Sequence, residues 1–223
     1  MAHTPPHELR DRIAAAIASR RSLTRDQYRR QRIVVIALSL VPVAADLVLR
    51  GVQLRGRPPG YVAIIAIGWF ALTVAASVWT LGPAPAPSPL GRPRPALVAL
   101  AMGLPLGLLL VSLVASGAFL ETFRAPLYGF RVHLMCALTA TALSLAPILG
   151  LLWLVRRSDP VKPWATGAAL GALGASWAGA AVAVQCPHPE PLHVLLAHAG
   201  PIALTACVTA IVGTRVLALR WIR

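Results

Sequence analysis

Charge is what this sequence has least of. Only 13% of its 223 residues are Asp, Glu, Lys or Arg, and seven of these are acidic. Soluble globular chains carry roughly 25%. No two carboxylates are spaced as an acid–base pair, and neither a Ser-based elbow nor a phosphate-binding glycine loop is present. The chain therefore reads as a non-enzyme. Ionisable groups are also missing from the middle of the apolar runs, where transporters and pumps place them. Asp46 and Glu121 both sit at the ends of such runs. Lysine occurs once, at Lys162, so the net charge of +14 is carried by arginine. Those arginines lie between apolar runs and not on a soluble domain, which excludes direct nucleic-acid binding as the leading reading. The first 32 residues are polar and basic, and predict no signal peptide.

Apolar surface is what the chain has in excess. Hydrophobic residues make up 57%, with a mean hydropathy of +0.70. A core of this length cannot hide so much apolar surface, whereas a bilayer solvates it. Six runs reach the length of about 20 residues that a crossing needs. They are Ile33–Leu49, Tyr61–Leu81, Ala96–Leu120, His133–Val155, Trp164–Val184 and Leu192–Leu219. The connections are polar or Pro-rich, as in GPAPAPSPLGRPRP over 82–95. Sixteen basic residues fall on the N-terminal side of the crossings and five on the other, namely Arg50, Arg55, Arg57, Arg124 and Arg131. Basic residues favour the cytoplasm. The fold expected is thus an all-α, polytopic membrane bundle of six transmembrane helices with both termini cytoplasmic. It divides into a basic tail with a short amphipathic helix (1–32), the transmembrane domain (33–219) and a cytoplasmic end (220–223).

Three features could carry function. The first is Cys186-Pro-His188-Pro-Glu190-Pro-Leu-His193, followed by His198, with His133 and Cys136 opening the fourth run from the same external face. Cys136 and Cys186 could form a disulfide on an oxidising face. With His133, His193 and His198 they could instead hold zinc or another metal. Plain packing is the third reading, and the residues alone leave all three open. The five-residue step from His193 to His198 is off-face on a regular helix and weighs against the metal. Cys207, deep in the last run, is expected to pack. The second feature is the ridge Gly167, Gly171, Ala175 and Gly179, which predicts close packing within the chain or, less favoured, a homodimer face. The third is the tail, where Leu9, Ile13 and Ile17 recur every four residues beside Arg12. Such a stripe docks in a partner's groove or lies on a membrane surface.

Residues 136–200 resemble a known family. Cys136 opens a span with Pro147 late in it. Arg156, Arg157, Pro160 and Pro163 come next, then a span with Gly167, Gly171 and Gly174, then Cys186-Pro187. This order is similar to the NrsF-type (negative regulator of sigma-F) six-helix membrane anti-sigma factors. His193, His198 and the tail PPHELRDRI are most like the myxobacterial CarR-like members. The resemblance implies a protein of the bacterial inner membrane that sequesters an extracytoplasmic-function sigma factor and releases it on an envelope, light or oxidative signal. It implies that Cys136 and Cys186 are the family's paired positions. The tail lacks the His/Cys zinc motif of soluble anti-sigma domains, so partner binding would fall to Leu9, Arg12, Ile13 and Ile17 with the inner loops. Two other readings stand beside it: a small transporter or channel, and a metal- or redox-sensing membrane protein that uses the Cys/His cluster.

Overall fold

A computed structural model describes Asp11 and residues 25–54, 57–81, 94–118, 129–155 and 162–217. Every regular element among these residues is helical. In chain order they are α1 (Arg25–Arg50), α2 (Pro59–Leu81), α3 (Arg94–Ala118), α4 (Phe130–Val155), α5 (Pro163–Gln185) and α6 (Pro191–Val216). Each contains a stretch long and apolar enough to cross a membrane. α1 begins at Arg25, eight residues before the apolar run at Ile33, because the intervening Arg and Gln are good helix formers. The chain forms two compact units, Met1–Val34 and Val35–Arg223. The described part of the first is Asp11 and the Arg-rich opening turns of α1. The second holds the helix bundle. Leu9, Arg12, Ile13 and Ile17 lie outside the described residues.

The bundle is built around α5, of whose most apolar stretch 94% is buried. Its sequence, PWATGAALGALGASWAGAAVAVQ, explains this position, because Gly and Ala let neighbouring backbones come close on every side. α6, α4, α3 and α2 all pack against it. A Cβ added at Gly171 would meet the Thr205 carbonyl oxygen at 2.8 Å, and one at Gly167 would meet the Gly213 Cα at 3.1 Å. The opposite side of α5 is as tight, with a Cβ at Gly174 lying 2.9 Å from the Ile148 backbone nitrogen. The whole ridge is therefore covered from within the chain. The homodimer expected as its lesser use has no exposed surface there, a correction that follows from α5 lying at the centre.

Around this hub the outer faces are apolar. Leu106, Leu110, Leu149, Ile67 and Ile211 are all exposed. Contiguous apolar surface of this extent is foreign to soluble monomers. Cys207 is also exposed, on the outside of α6, and not packed as expected. α1 is the least embedded helix, with Val43 its one buried residue among those described, set against Ala178 and Ala181.

Contacts define two ends. Val35 and Ser39 lie beside Gly150, Arg94 stacks over the Trp164 ring at 4.7 Å, and Gly213 meets Pro163 and Gly167. At the other end, Asp46 and Arg50 form an ion pair of 2.8 Å, as their four-residue spacing predicts, and the Gln185 side chain donates to the Asp46 carbonyl at 3.0 Å. Cys136, Cys186 and His193 are gathered at this second end.

Candidate functional site

Three prolines shape the segment between α5 and α6. α5 stops at Cys186, whose N–H still donates to the Val182 carbonyl at 2.8 Å while its backbone turns extended. Pro187 keeps the helix from continuing. Pro191 then starts α6, where a missing N–H costs nothing. The segment is tied down from three sides. The Ser116 hydroxyl of α3 donates to the Pro189 carbonyl at 2.9 Å. The Gln53 N–H donates to the Val184 carbonyl at 3.3 Å. The Arg57 guanidinium donates to the Cys186 carbonyl, and to the Ala183 carbonyl at 3.5 Å.

Arg57 was legible in the sequence only as one of five charges on the less basic side. In the structure it is buried and lies 5.4 Å over the Tyr61 ring. It caps the carbonyl end of α5, where a cation complements the helix dipole. Burial lowers its pKa from the ordinary value, and the nearby Tyr61 and Cys186 pull it back up. Hydrogen bonds from a charged donor contribute about 1.5–3 kcal/mol. In a Cys136→Ser, Cys207→Ser background, Arg57→Ala is therefore expected to speed maleimide labelling of the buried Cys186 by about tenfold or more, through local opening of residues 186–190. An unchanged labelling rate would show that Arg57 does not hold this segment.

The cysteines and histidines meet between α4 and α6. His133 and Cys136 are three residues apart and share a face of α4. Cys136 Sγ lies 3.7 Å from Cys186 Sγ, and Cys186 Sγ lies 3.1 Å from His193 Nε2. The thiols are unbonded. His133 Nδ1 and His193 Nδ1 are 2.8 Å apart. Cys186 and His193 are buried, while Cys136, His133 and His188 are partly exposed. A hydrogen bond to Cys136 that keeps the Cys186 proton in place, reinforced by burial, pushes the Cys186 thiol pKa upward. Burial, with His193 next to it, holds His188 below the usual imidazole range. His188 is thus neutral at physiological pH.

The step from His193 to His198 needs a correction. The last helix is not regular. Residues Leu195–Ala199 form a wide π-turn, and the Gly200 N–H reaches the Leu195 carbonyl five residues back. Pro201 supplies the reason, since it has no N–H to donate and its ring crowds the carbonyl four residues earlier. The widened turn brings the His193 and His198 rings to a centroid distance of 5.2 Å. The spacing argument against a shared site therefore fails. His198 is nonetheless turned elsewhere. It meets the Trp69 ring edge-on at 6.1 Å and lines a small pocket with Tyr61, Trp69 and Ser112.

Of the five residues expected to gather, three bring their donor atoms within 4.8 Å of one another: Cys136, Cys186 and His193. His133 stands one hydrogen bond behind His193, and His198 faces away. His188, which stands in the same motif, was not expected to take part. Its ring lies 5.2 Å from that of His193.

Fold and site together define a helical bundle protein whose central helix is packed with small residues and whose polar chemistry is a thiol–imidazole cluster at one end. The family profile described as Negative regulator of sigma F matches residues 18–221, and the chain belongs to that family. The name makes it a family of sigma-factor regulators, not of enzymes. No curated protein and no solved structure matches the chain.

Proposed function

We propose that this protein is a membrane-bound anti-sigma factor that holds an extracytoplasmic-function sigma factor at the inner face of the bacterial inner membrane. The observation that carries the reading is a family match running through nearly the whole chain, on a bundle of six helices long and apolar enough for a bilayer. The arginine distribution supports cytoplasmic termini. The Cys136–Cys186–His193 cluster then belongs to the external end and receives the envelope, light or oxidative signal. Sigma capture falls to the tail, through Leu9, Arg12, Ile13 and Ile17. His193, His198 and the tail sequence ally the chain with the CarR-like members. Transport finds little support, because the α5 interfaces are filled with Gly, Ala and Leu and not with ionisable groups.

The test uses membranes from cells that make the full chain together with a tagged extracytoplasmic-function sigma factor encoded beside it. The sigma factor is expected in the membrane fraction with the full chain, and in the soluble fraction with a chain lacking residues 1–24. Soluble sigma factor in both cases would overturn the reading.

A further inference from the structure

We infer that Cys136, Cys186 and His193 form a binding site for one thiophilic divalent cation of the zinc and cadmium class, with His133 holding His193 in its liganding orientation. This rests on the reading of the cluster as the sensing end, and it names what that end takes.

Geometry comes first. Two sulfurs bound at about 2.3 Å to a tetrahedral zinc lie about 3.8 Å apart. Cys136 Sγ and Cys186 Sγ are 3.7 Å apart. A disulfide would need them to close to about 2.0 Å. The sulfurs thus already span one edge of a coordination tetrahedron. The corresponding sulfur–nitrogen edge is about 3.5 Å. Cys186 Sγ and His193 Nε2, at 3.1 Å, reach it by opening a few tenths of an ångström.

The second argument is the direction of His193. Its Nδ1 is engaged by His133 Nδ1 at 2.8 Å, which leaves Nε2 for the sulfurs. A ligand histidine whose other ring nitrogen is held by a partner is the usual support of a metal site. His133, the fourth residue in this arrangement, is therefore a positioning residue and not a ligand.

Charge and donor type select the cation. On binding, the two S–H bonds break, two sulfur–metal bonds form, and two protons leave to water. A divalent ion with two thiolates and a neutral imidazole carries no net charge, as a buried site requires. A monovalent ion would leave one negative charge uncompensated. Magnesium and calcium seek several oxygen ligands, and this donor set has none. Cys136 is partly exposed and offers the way in, while the other two ligands are buried. Three protein ligands leave a fourth position for an exogenous one. Binding ties the start of α4 to the segment that Arg57 and Ser116 hold, so occupancy is felt in the connections to α2 and α3.

The experiment is a cadmium titration of the full-length chain in nanodiscs, with its thiols kept reduced by a phosphine. The expected result is one equivalent per chain, with a near-ultraviolet thiolate-to-metal band and two protons released. Cys136→Ser and Cys186→Ser should each abolish the band. His133→Ala should keep the stoichiometry and weaken affinity about 10- to 100-fold. His198→Ala should leave affinity unchanged. The inference is overturned if a chain that keeps its helical circular dichroism takes up no stoichiometric cadmium, if magnesium competes equally, or if His198→Ala loses as much affinity as His193→Ala. Sigma retention is scored separately in membranes. Absent metal binding with retention intact defeats this inference alone, and lost retention with metal binding intact defeats the anti-sigma reading.

Discussion

Leu9→Asp combined with Ile13→Asp should release the sigma factor from the membrane and switch on the genes it directs. The two side chains share the stripe that also holds Ile17, at intervals of four. A buried Leu or Ile contributes about 1.5–3 kcal/mol through burial alone. Losing two removes about 3–6 kcal/mol, or two to four orders of magnitude in affinity. The introduced carboxylates add a desolvation penalty in the same direction. Fractionation with a reporter for the sigma-dependent genes reads both effects at once. Full retention by the double variant would end the tail-docking reading and move capture to the arginine-rich loops. The helix bundle should be untouched in either case.

Gly171→Leu should prevent the bundle from closing. The first added carbon would meet the Thr205 carbonyl oxygen at 2.8 Å, and Thr209 presses on the same spot. Those atoms are backbone and a buried side chain, so they cannot swing aside. Overpacking a tight core costs about 1–3 kcal/mol where side chains can yield, and more where they cannot. The variant should fail to accumulate, or lose resistance to SDS unfolding by several kcal/mol. Gly103→Ala is the matched control, since nothing lies within 4 Å of the added carbon. It should be neutral or slightly stabilising, by up to about 1 kcal/mol. Equal behaviour of the two variants would mean that close approach of α5 and α6 does not hold the bundle together.

How much of the site was legible can be judged residue by residue. Cys136 and Cys186 are 50 positions apart, yet counting crossings placed them at one end, because each apolar run must reverse the direction of the chain. His193 followed from its place after the Cys-Pro motif. Arg57 was not legible. Nothing in a loop reading RGRPPG distinguishes an arginine facing solvent from one folded under a helix end. That difference depends on which carbonyls lie within its reach. The relation of His193 to His198 was misread for another reason. Periodicity assumes a regular helix, and the turn that Pro201 widens changes the face on which each ring emerges.

The sequence by itself determined the six helices, their approximate lengths, the reversal of direction at each proline-rich connection and the family to which the chain belongs. These follow from local composition, because apolar length and helix-ending residues act on the segment that contains them. Only the tertiary structure decided that α5 sits at the centre, that its glycine ridge is closed by α6 and not by a second copy, and that Arg57 caps α5. It alone separated the three donors from the two histidines behind and beside them. Those outcomes depend on distances between segments remote in the chain. Such distances are set by how closely backbones can approach, a property of pairs of helices that no single run of residues contains.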